Sequence, residues 1–414
     1  MRCTRLTSGV LVATDVVPAA RSVAAGVWVG VGSRDEPEQL AGVSHLLEHL
    51  VFKGTARRTA QEISRTVDRH GGDLNAYTTK EFTAFHGRMP VAYQGLLIDL
   101  LGDLVTRPLL APADVVSERQ VVLEELAMDD DSPEDVAHRT LARSVFGEHG
   151  LGRETAGHRS TIGVMEADDV RRFYERWYAT GVSVVAVAGP VDHDEVVAQV
   201  DEAFAELRVG GESPRRGAPE GLMASGVEAQ VDDSEQVHLA WGWQGVSRTD
   251  PDHEALDVVN HVLGGGLSSR LFDEIRERRG LAYSVYSGVS SFVDTGLMTV
   301  YAGTLPEHAD EVVSLVDSEI ATLCERGITD EELEVAVGYL TGSYELGLDD
   351  TGARMARLGD ALVTVGEVVP IDEQLRRWRA VDHAAVRRVL DRVVASPRRL
   401  VMVGPVHGNM GTRA

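Results

Sequence analysis

A weak internal repeat is the feature that most restricts how this chain can fold. An alternating apolar run ends in Ser-Arg and an acidic turn at residues 24–39 (AAGVWVGVGSRDEPEQ), and the same pattern returns at residues 238–254 (HLAWGWQGVSRTDPDHE). Each half also closes alike, with an apolar run stopped by Gly-Pro at residues 184–192 and at residues 400–406. Such a repeat predicts two homologous domains rather than one large core.

The length of the chain supports this division. At 414 residues it exceeds the roughly 250 to 300 residues at which a single hydrophobic core stops growing. A segment rich in Gly, Pro and charge separates the halves, as expected of a linker. We therefore predict an N-terminal domain over residues 1–208, a linker over 209–226 and a C-terminal domain over 227–414.

Helical and strand patterns are mixed in both halves without regular alternation. In the first half, the periodicity predicts helices over 38–53, 59–70 and about 113–128, and an extended stretch over 74–89 after the pair Gly71-Gly72. Mixed order of this kind favours an α+β fold. We predict that each domain is a mostly antiparallel β-sheet packed with helices.

Composition excludes several classes of protein. A hydrophobic fraction of 43% with 25% charged residues is that of a globular chain, and a net charge of −25 would repel nucleic acid or an anionic membrane. The two cysteines, Cys3 and Cys324, support neither a disulfide framework nor a cysteine-based zinc site. The sequence contains no run of 18 uncharged apolar residues and therefore predicts no membrane span. We expect a cytoplasmic protein.

The residues that point to chemistry lie in the predicted helix over 38–53. His45-Leu46-Leu47-Glu48-His49 has the H-x-x-E-H spacing of the inverzincins. At about 100° per residue, His45 and His49 lie one turn apart on one helix face, where two imidazoles bind one metal ion. Glu48 then lies close enough to take a proton from water without binding the metal.

A catalytic zinc site needs a third protein ligand, and the segment SERQVVLEEL at 117–126 offers three carboxylates. Glu118 and Glu125 are two turns apart and share a face, whereas Glu124 points away toward solvent. An ordinary acidic amphipathic helix would show the same pattern, so the spacing alone leaves the ligand open.

Together these residues resemble the insulinase/pitrilysin family of zinc metallopeptidases, in the short form similar to mitochondrial processing peptidase and its bacterial homologues. The resemblance runs through HLLEHLVFKGT, GGDLNAYTTKEFTAF and ERQVVLEEL, in that order, and extends over essentially the whole chain. It implies that zinc is held by His45, His49 and Glu125. It also implies that Glu48 is the general base and that Glu118 is an acid that supports the site.

The second half resembles the family in a different way. The repeat places Asn260, Gly264 and Tyr339 where the first half has its proposed ligands, which predicts one zinc ion per chain. The segment SSRLFDEIRERRGLAYSVYS at 268–287 is similar to the family segment whose arginine and tyrosine touch the scissile peptide. The resemblance assigns these roles to Arg276 and Tyr283, which would stabilise the oxyanion.

The resemblance also implies partners. The stretch LNAYT is similar to the family's edge strand, on which a substrate peptide adds as an extra strand, with Asn75 and Ala76 as substrate-binding positions. One chain carries both the zinc motif and the Arg-Tyr pair, which favours a homodimer that encloses peptides in a chamber. The alternative is a non-catalytic subunit of a processing complex that binds peptides with the same fold.

Overall fold

The computed structural model describes residues 1–179, 183–207, 214–220 and 224–406. The chain forms two compact units, each assembled from three stretches of sequence. The first comprises Met1–Ala127, Arg153–Arg216 and Glu345–Val368, and the second comprises Met128–Gly152, Gly217–Tyr344 and Val369–Ala414.

Both units combine strands and helices. The strands are β1 (Arg2–Arg5), β2 (Leu11–Val16), β3 (Ser22–Val29), β4 (Asp73–Thr78), β5 (Thr83–Pro90), β6 (Ser183–Gly189), β7 (Gly226–Val231), β8 (Val237–Gly245), β9 (Ala282–Ser291), β10 (Gly296–Thr304) and β11 (Arg399–Gly404). The α-helices are α1 (Val43–Val51), α2 (Ala60–Arg69), α3 (Gln94–Thr106), α4 (Pro112–Asp130), α5 (Pro133–Phe146), α6 (Arg159–Ile162), α7 (Ala167–Trp177), α8 (His193–Ala203), α9 (His253–Asn260), α10 (Ala309–Arg326), α11 (Asp330–Gly347), α12 (Thr351–Thr364), α13 (Ile371–Arg379) and α14 (His383–Val389). The described residues of the second unit include three π-helical segments, at His261–Gly265, Phe272–Arg278 and Leu390–Val394.

The first unit is built on a six-stranded sheet in the order β1-β2-β6-β3-β5-β4. Its neighbouring strands are antiparallel except for the parallel pair β2 and β6. The main core, which includes Leu46, Leu50, Phe85 and Leu101, joins one face of the sheet to helices such as α1 and α3. Strand β4 is the last strand in this order, so it lies at an edge of the sheet, where it packs against α1.

The second unit has a five-stranded sheet in the order β7-β11-β8-β10-β9, in which only β7 and β11 are parallel among the described pairs. Its core contains Trp243, Leu256 and Val300. Two mostly antiparallel sheets packed with helices confirm the predicted α+β class.

Each unit receives a helix from the other half of the sequence. Helix α12 packs on the first sheet, where Met355 and Leu358 meet Trp28, and the Trp28 indole N–H donates to Asp360 over 2.8 Å. Helix α5 packs on the second sheet, where Leu141 meets Val401. The predicted order of domains along the chain does not anticipate this exchange.

Two predicted elements have different bounds in the structure. The helix expected over 38–53 begins at Val43, because Gly42 has a φ of +94° and the chain before it forms only a short turn at Glu38–Leu40. The extended stretch expected over 74–89 is a hairpin of β4 and β5. Residues 214–220 of the predicted linker contain no helix or strand, and part of that linker lies outside the described residues.

Among the residues that the structure describes, no helix has the length and apolarity that a bilayer span requires.

Candidate metal centre

Helix α1 brings the two predicted imidazole ligands together. Leu46, Leu47 and Leu50 are fully buried, which fixes the rotation of the helix and leaves His45 and His49 on a partly exposed face. The two rings lie with their centroids 4.7 Å apart, edge to face. The apolar spacing of the motif thus places His45 and His49 side by side on the partly exposed face of α1.

Helix α4 supplies the third group. Oε2 of Glu125 lies 3.6 Å from Nε2 of His49 and 4.0 Å from Nε2 of His45. One ligand atom from each of the three residues lies within 4.8 Å of the others. Because ligands about 2 Å from a tetrahedral zinc lie about 3.3 Å from each other, these separations suit a metal ion after a small adjustment.

The polar atoms of this cluster also fit a metal. Oε2 of Glu125, which faces Nε2 of both rings, is buried and has no hydrogen-bond partner among the described residues. Buried polar atoms ordinarily have a partner, and two imidazoles with one carboxylate form a ligand set typical of catalytic zinc. The residues present therefore fit zinc.

The electrostatics favour the ligating form of His45. Burial, followed by the nearby His49, lowers the pKa of His45 to about 4. The ring is therefore neutral at neutral pH, which is the form that binds a metal.

Glu118 supports His49 from behind. Its side chain is 5% exposed, and Oε2 lies 3.3 Å from Nδ1 of His49, so the ring turns Nε2 toward Glu125. The other oxygen of Glu118 lies 2.6 Å from the ammonium of Lys53. A carboxylate next to one ring nitrogen of a histidine fixes the orientation of the ring and the tautomer, so Glu118 orients His49.

Glu48 lies beside the edge strand. The Thr78 hydroxyl, at the end of β4, donates to Oε2 of Glu48 over 2.6 Å. Burial raises the pKa of Glu48 above its ordinary value of 4.5, and the bond from Thr78 acts in the opposite direction. A carboxyl group with a raised pKa is better matched to proton transfer near neutral pH.

The predicted substrate-binding positions lie on β4. Asn75 pairs with His86 and Ala76 with Phe85, both on β5, and no strand among the described residues pairs with the other side of β4. The backbone of an edge strand can pair with an added peptide.

Arg276 and Tyr283 come together in the second unit. The guanidinium of Arg276, in the π-helical segment Phe272–Arg278, lies 4.5 Å from the ring centre of Tyr283 on β9. Tyr283 is 77% exposed. The structure thus places the two as an accessible cationic and phenolic pair.

The second unit has no comparable cluster among its described residues. Asn260 ends α9, Gly264 lies in the π-helical segment His261–Gly265, and Tyr339 stacks on the ring of His261 with centroids 4.3 Å apart. Within the described part of the chain, the group at His45, His49 and Glu125 is the one set of three that could hold a metal ion.

The sequence did not predict three residues that contact the side chains or the helix of this site. Lys53 and Thr78 lie inside the motifs that carry the resemblance, but their roles depend on contacts with Glu118 and Glu48. Glu36 lies before α1 and accepts bonds from its first turn. An acidic residue just upstream of the motif was the only signal for Glu36.

A two-unit α+β fold with an H-x-x-E-H helix and a carboxylate from a second helix defines a class of metallopeptidase. A family model described as Insulinase (Peptidase family M16) matches residues 11–159, and one described as Peptidase M16 inactive domain matches residues 165–340. The chain belongs to the insulinase family, peptidase family M16, which confirms the predicted resemblance.

Individual relatives agree with this membership. An uncharacterized zinc protease of Streptomyces coelicolor is 42% identical, over 100% of this chain and 91% of its own length. The uncharacterized zinc protease YmxG of Bacillus subtilis is 34% identical, over 97% of this chain and 98% of its own. The crystal structure of a protease from Helicobacter pylori has the same fold, with a TM-score of 0.92 at 22% identity over 98% of this chain and 99% of its own.

Proposed function

We propose that this chain is a zinc-dependent endopeptidase that hydrolyses extended or unstructured peptides, with one zinc ion held by His45, His49 and Glu125. The observation that carries the proposal is the convergence of these three side chains from α1 and α4. The relatives named zinc proteases support it as well.

Substrate binding is proposed to occur along β4. A peptide added at this edge would gain main-chain hydrogen bonds beside Asn75 and Ala76. Thr78 ends the same strand and contacts Glu48, and strands rise about 3.3 Å per residue. A peptide that pairs with β4 beside Asn75 would therefore reach the proposed base, Glu48, about 10 Å further along the strand.

Glu48, Glu118 and Lys53 have separate roles in the proposed reaction. When bound, zinc supplies the Lewis acidity that makes a water molecule nucleophilic at neutral pH. Glu48 accepts the proton of that water and returns it to the leaving amine. Glu118 holds His49 in one tautomer, and Lys53 holds Glu118.

We further propose that Arg276 and Tyr283 stabilise the oxyanion from the partner subunit of a homodimer. Both side chains are hydrogen-bond donors, as this role requires.

We also propose that the chain works in the cytoplasm. Its two cysteines carry free thiols, which suits a reducing compartment.

Cleavage of a quenched peptide library tests the catalytic proposal. Glu48→Gln should keep one zinc ion per chain and reduce turnover by about 100-fold to 10,000-fold, because the proton acceptor is lost. Glu124→Gln is the matched control, since Glu124 lies on α4 next to the proposed ligand Glu125 but is exposed, and its turnover should stay within about twofold of the wild type.

A chelator should stop the wild-type reaction, and added zinc should restore it. Undiminished turnover by Glu48→Gln would remove Glu48 from the mechanism. A wild-type protein that binds no zinc and cleaves nothing would favour the non-catalytic, peptide-binding alternative.

Mixed dimers test the partner subunit. Glu48→Gln and Arg276→Ala are each expected to be weakly active alone. If the pair acts on the other subunit's site, mixing the two variants restores one intact site per mixed dimer. No recovery in mixed dimers of proven composition would contradict action across the dimer.

A further inference from the structure

Helix α1 begins at a residue that cannot cap it. The N-cap position is Gly42, which has no side chain and a φ of +94°. A Cβ there would lie 2.5 Å from the Ala156 carbonyl oxygen, so the close approach of the chain excludes larger residues. The first N–H groups of the helix therefore need an acceptor from elsewhere.

Glu36 supplies that acceptor from six residues upstream. One carboxylate oxygen accepts from the Gly42 N–H over 2.7 Å, and the other accepts from the Ser44 N–H over 2.7 Å. Glu36 is only 4% exposed. Two short bonds from a buried carboxylate to a helix N-terminus combine capping with a favourable interaction with the helix dipole.

Two positively charged side chains, Arg153 and Lys80, lie near this buried carboxylate. Arg153 donates to the backbone carbonyl of Glu36 over 2.8 Å, and Lys80 donates to the carbonyl of Arg153. Burial raises the pKa of Glu36 to about 7, whereas its bonds to Ser44 and Gly42 and the charge of Arg153 act to lower it. The loop before α1 is thus tied to the first turn of the helix through a connected polar network.

The capped turn leads directly into the metal centre. Ser44 immediately precedes His45, and His49 lies one turn further on. The carboxylate of Glu125 comes from a different helix and approaches both rings. A shift of the first turn of α1 would therefore change the separation between His45 and Glu125 before it affected the buried end of the helix at Leu50.

We propose that Glu36 is a positioning residue for the metal centre, which caps α1 so that His45 and His49 are held at the distance from Glu125 that zinc requires. This role rests on the proposed zinc site and does not involve contact with substrate. It assigns a function to a residue outside the H-x-x-E-H motif.

The test is the affinity of the metal-free protein for zinc alone, measured by competition with a chromophoric chelator. Glu36→Gln keeps the size of the side chain but has one acceptor oxygen and turns an amide N–H₂ toward a backbone N–H. Its zinc dissociation constant should rise about 10-fold to 100-fold, the range typical for partners of ligating residues.

Glu62→Gln is the matched control. Glu62 accepts from the Thr59 N–H over 2.8 Å and caps α2, which carries none of the proposed ligands. Its zinc affinity should remain within twofold of the wild type. The melting temperature of each metal-free variant separates a loss of positioning from a general loss of stability.

Zinc binding by Glu36→Gln within twofold of the wild type would overturn the proposed role of Glu36. If Glu36→Gln does not fold, Glu36→Asp, which keeps the charge but is one methylene shorter, replaces it and should also bind zinc at least threefold more weakly; unchanged affinity overturns the role equally. If the wild type does not bind zinc, or if His45→Ala binds zinc as tightly as the wild type, the zinc site itself is refuted.

Discussion

Lys80 is expected to titrate near neutral pH, and the scarcity of lysine makes this directly measurable. The chain has only two lysines, Lys53 and Lys80. Burial lowers the pKa of Lys80 from an ordinary 10.5 to about 8, although the negative charges of Glu36 and Glu154 oppose this change. At about 1.4 kcal/mol for each pH unit, the charged form is disfavoured by about 3 kcal/mol.

Side-chain ¹⁵N-lysine NMR gives the assay. Two ammonium signals should appear, and Lys53→Arg removes one and assigns the other. The signal of Lys80 should titrate with a midpoint near pH 8. Glu36→Gln should lower that midpoint further, because it removes the carboxylate that favours the charged ammonium.

The same pKa sets the sign of a stability change. Between about pH 8 and 10.5 the unfolded chain binds more protons at Lys80 than the folded chain does, so this residue makes the free energy of unfolding rise with pH. The rise should be absent in Lys80→Met, measured as the difference between the two proteins in urea unfolding. A Lys80 midpoint at pH 10 or above would refute the reasoning.

Two further predictions concern packing and the support of the site. Lys53→Met should weaken zinc binding by about 5-fold to 10-fold in the chelator competition, because Glu118 loses the cation that it contacts. Lys53→Arg keeps a cation and should bind zinc nearly as tightly as the wild type. Equal zinc affinities of the two variants would contradict the role of Lys53. Gly359→Ala should lower the free energy of unfolding by about 2 kcal/mol or more in urea, because its Cβ would come within 2.2 Å of the Trp28 indole. Gly338→Ala, at a position with open space around it, should not destabilise the protein, and a similar loss there would refute the argument from packing.

The local part of the metal centre could be predicted from sequence because helical spacing determines it. His45 and His49 are one turn apart, and Glu118 and Glu125 are two turns apart, so their faces follow from the period of the helix alone. The approach of α4 to α1 is a tertiary contact, and periodicity contains no information about it. That the two helices meet was implied by the family resemblance.

The missed features depend on chemistry that sequence patterns signal weakly. The turn between β4 and β5 lacks Gly, Pro and Asn, and is closed by the Thr79 hydroxyl, which accepts from the N–H groups of Glu81 and Phe82. The start of α1 depends on the left-handed conformation of Gly42 and on the distant carboxylate of Glu36. Neither feature changes the apolar periodicity from which the elements were predicted.

The exchange of helices also governs the order in which this protein can mature on the ribosome. The strands of the first sheet are complete once β6 has emerged, yet the surface around Trp28 and Ala24 stays uncovered until α12 is synthesised near the end of the chain. At about 5 to 20 residues per second, a nascent chain would expose this apolar surface for about ten seconds or more. The apolar surface of the first sheet is therefore fully covered only after the second half has been translated. If the two halves were made from separate genes, they would have to assemble before either sheet was covered by its exchanged helix.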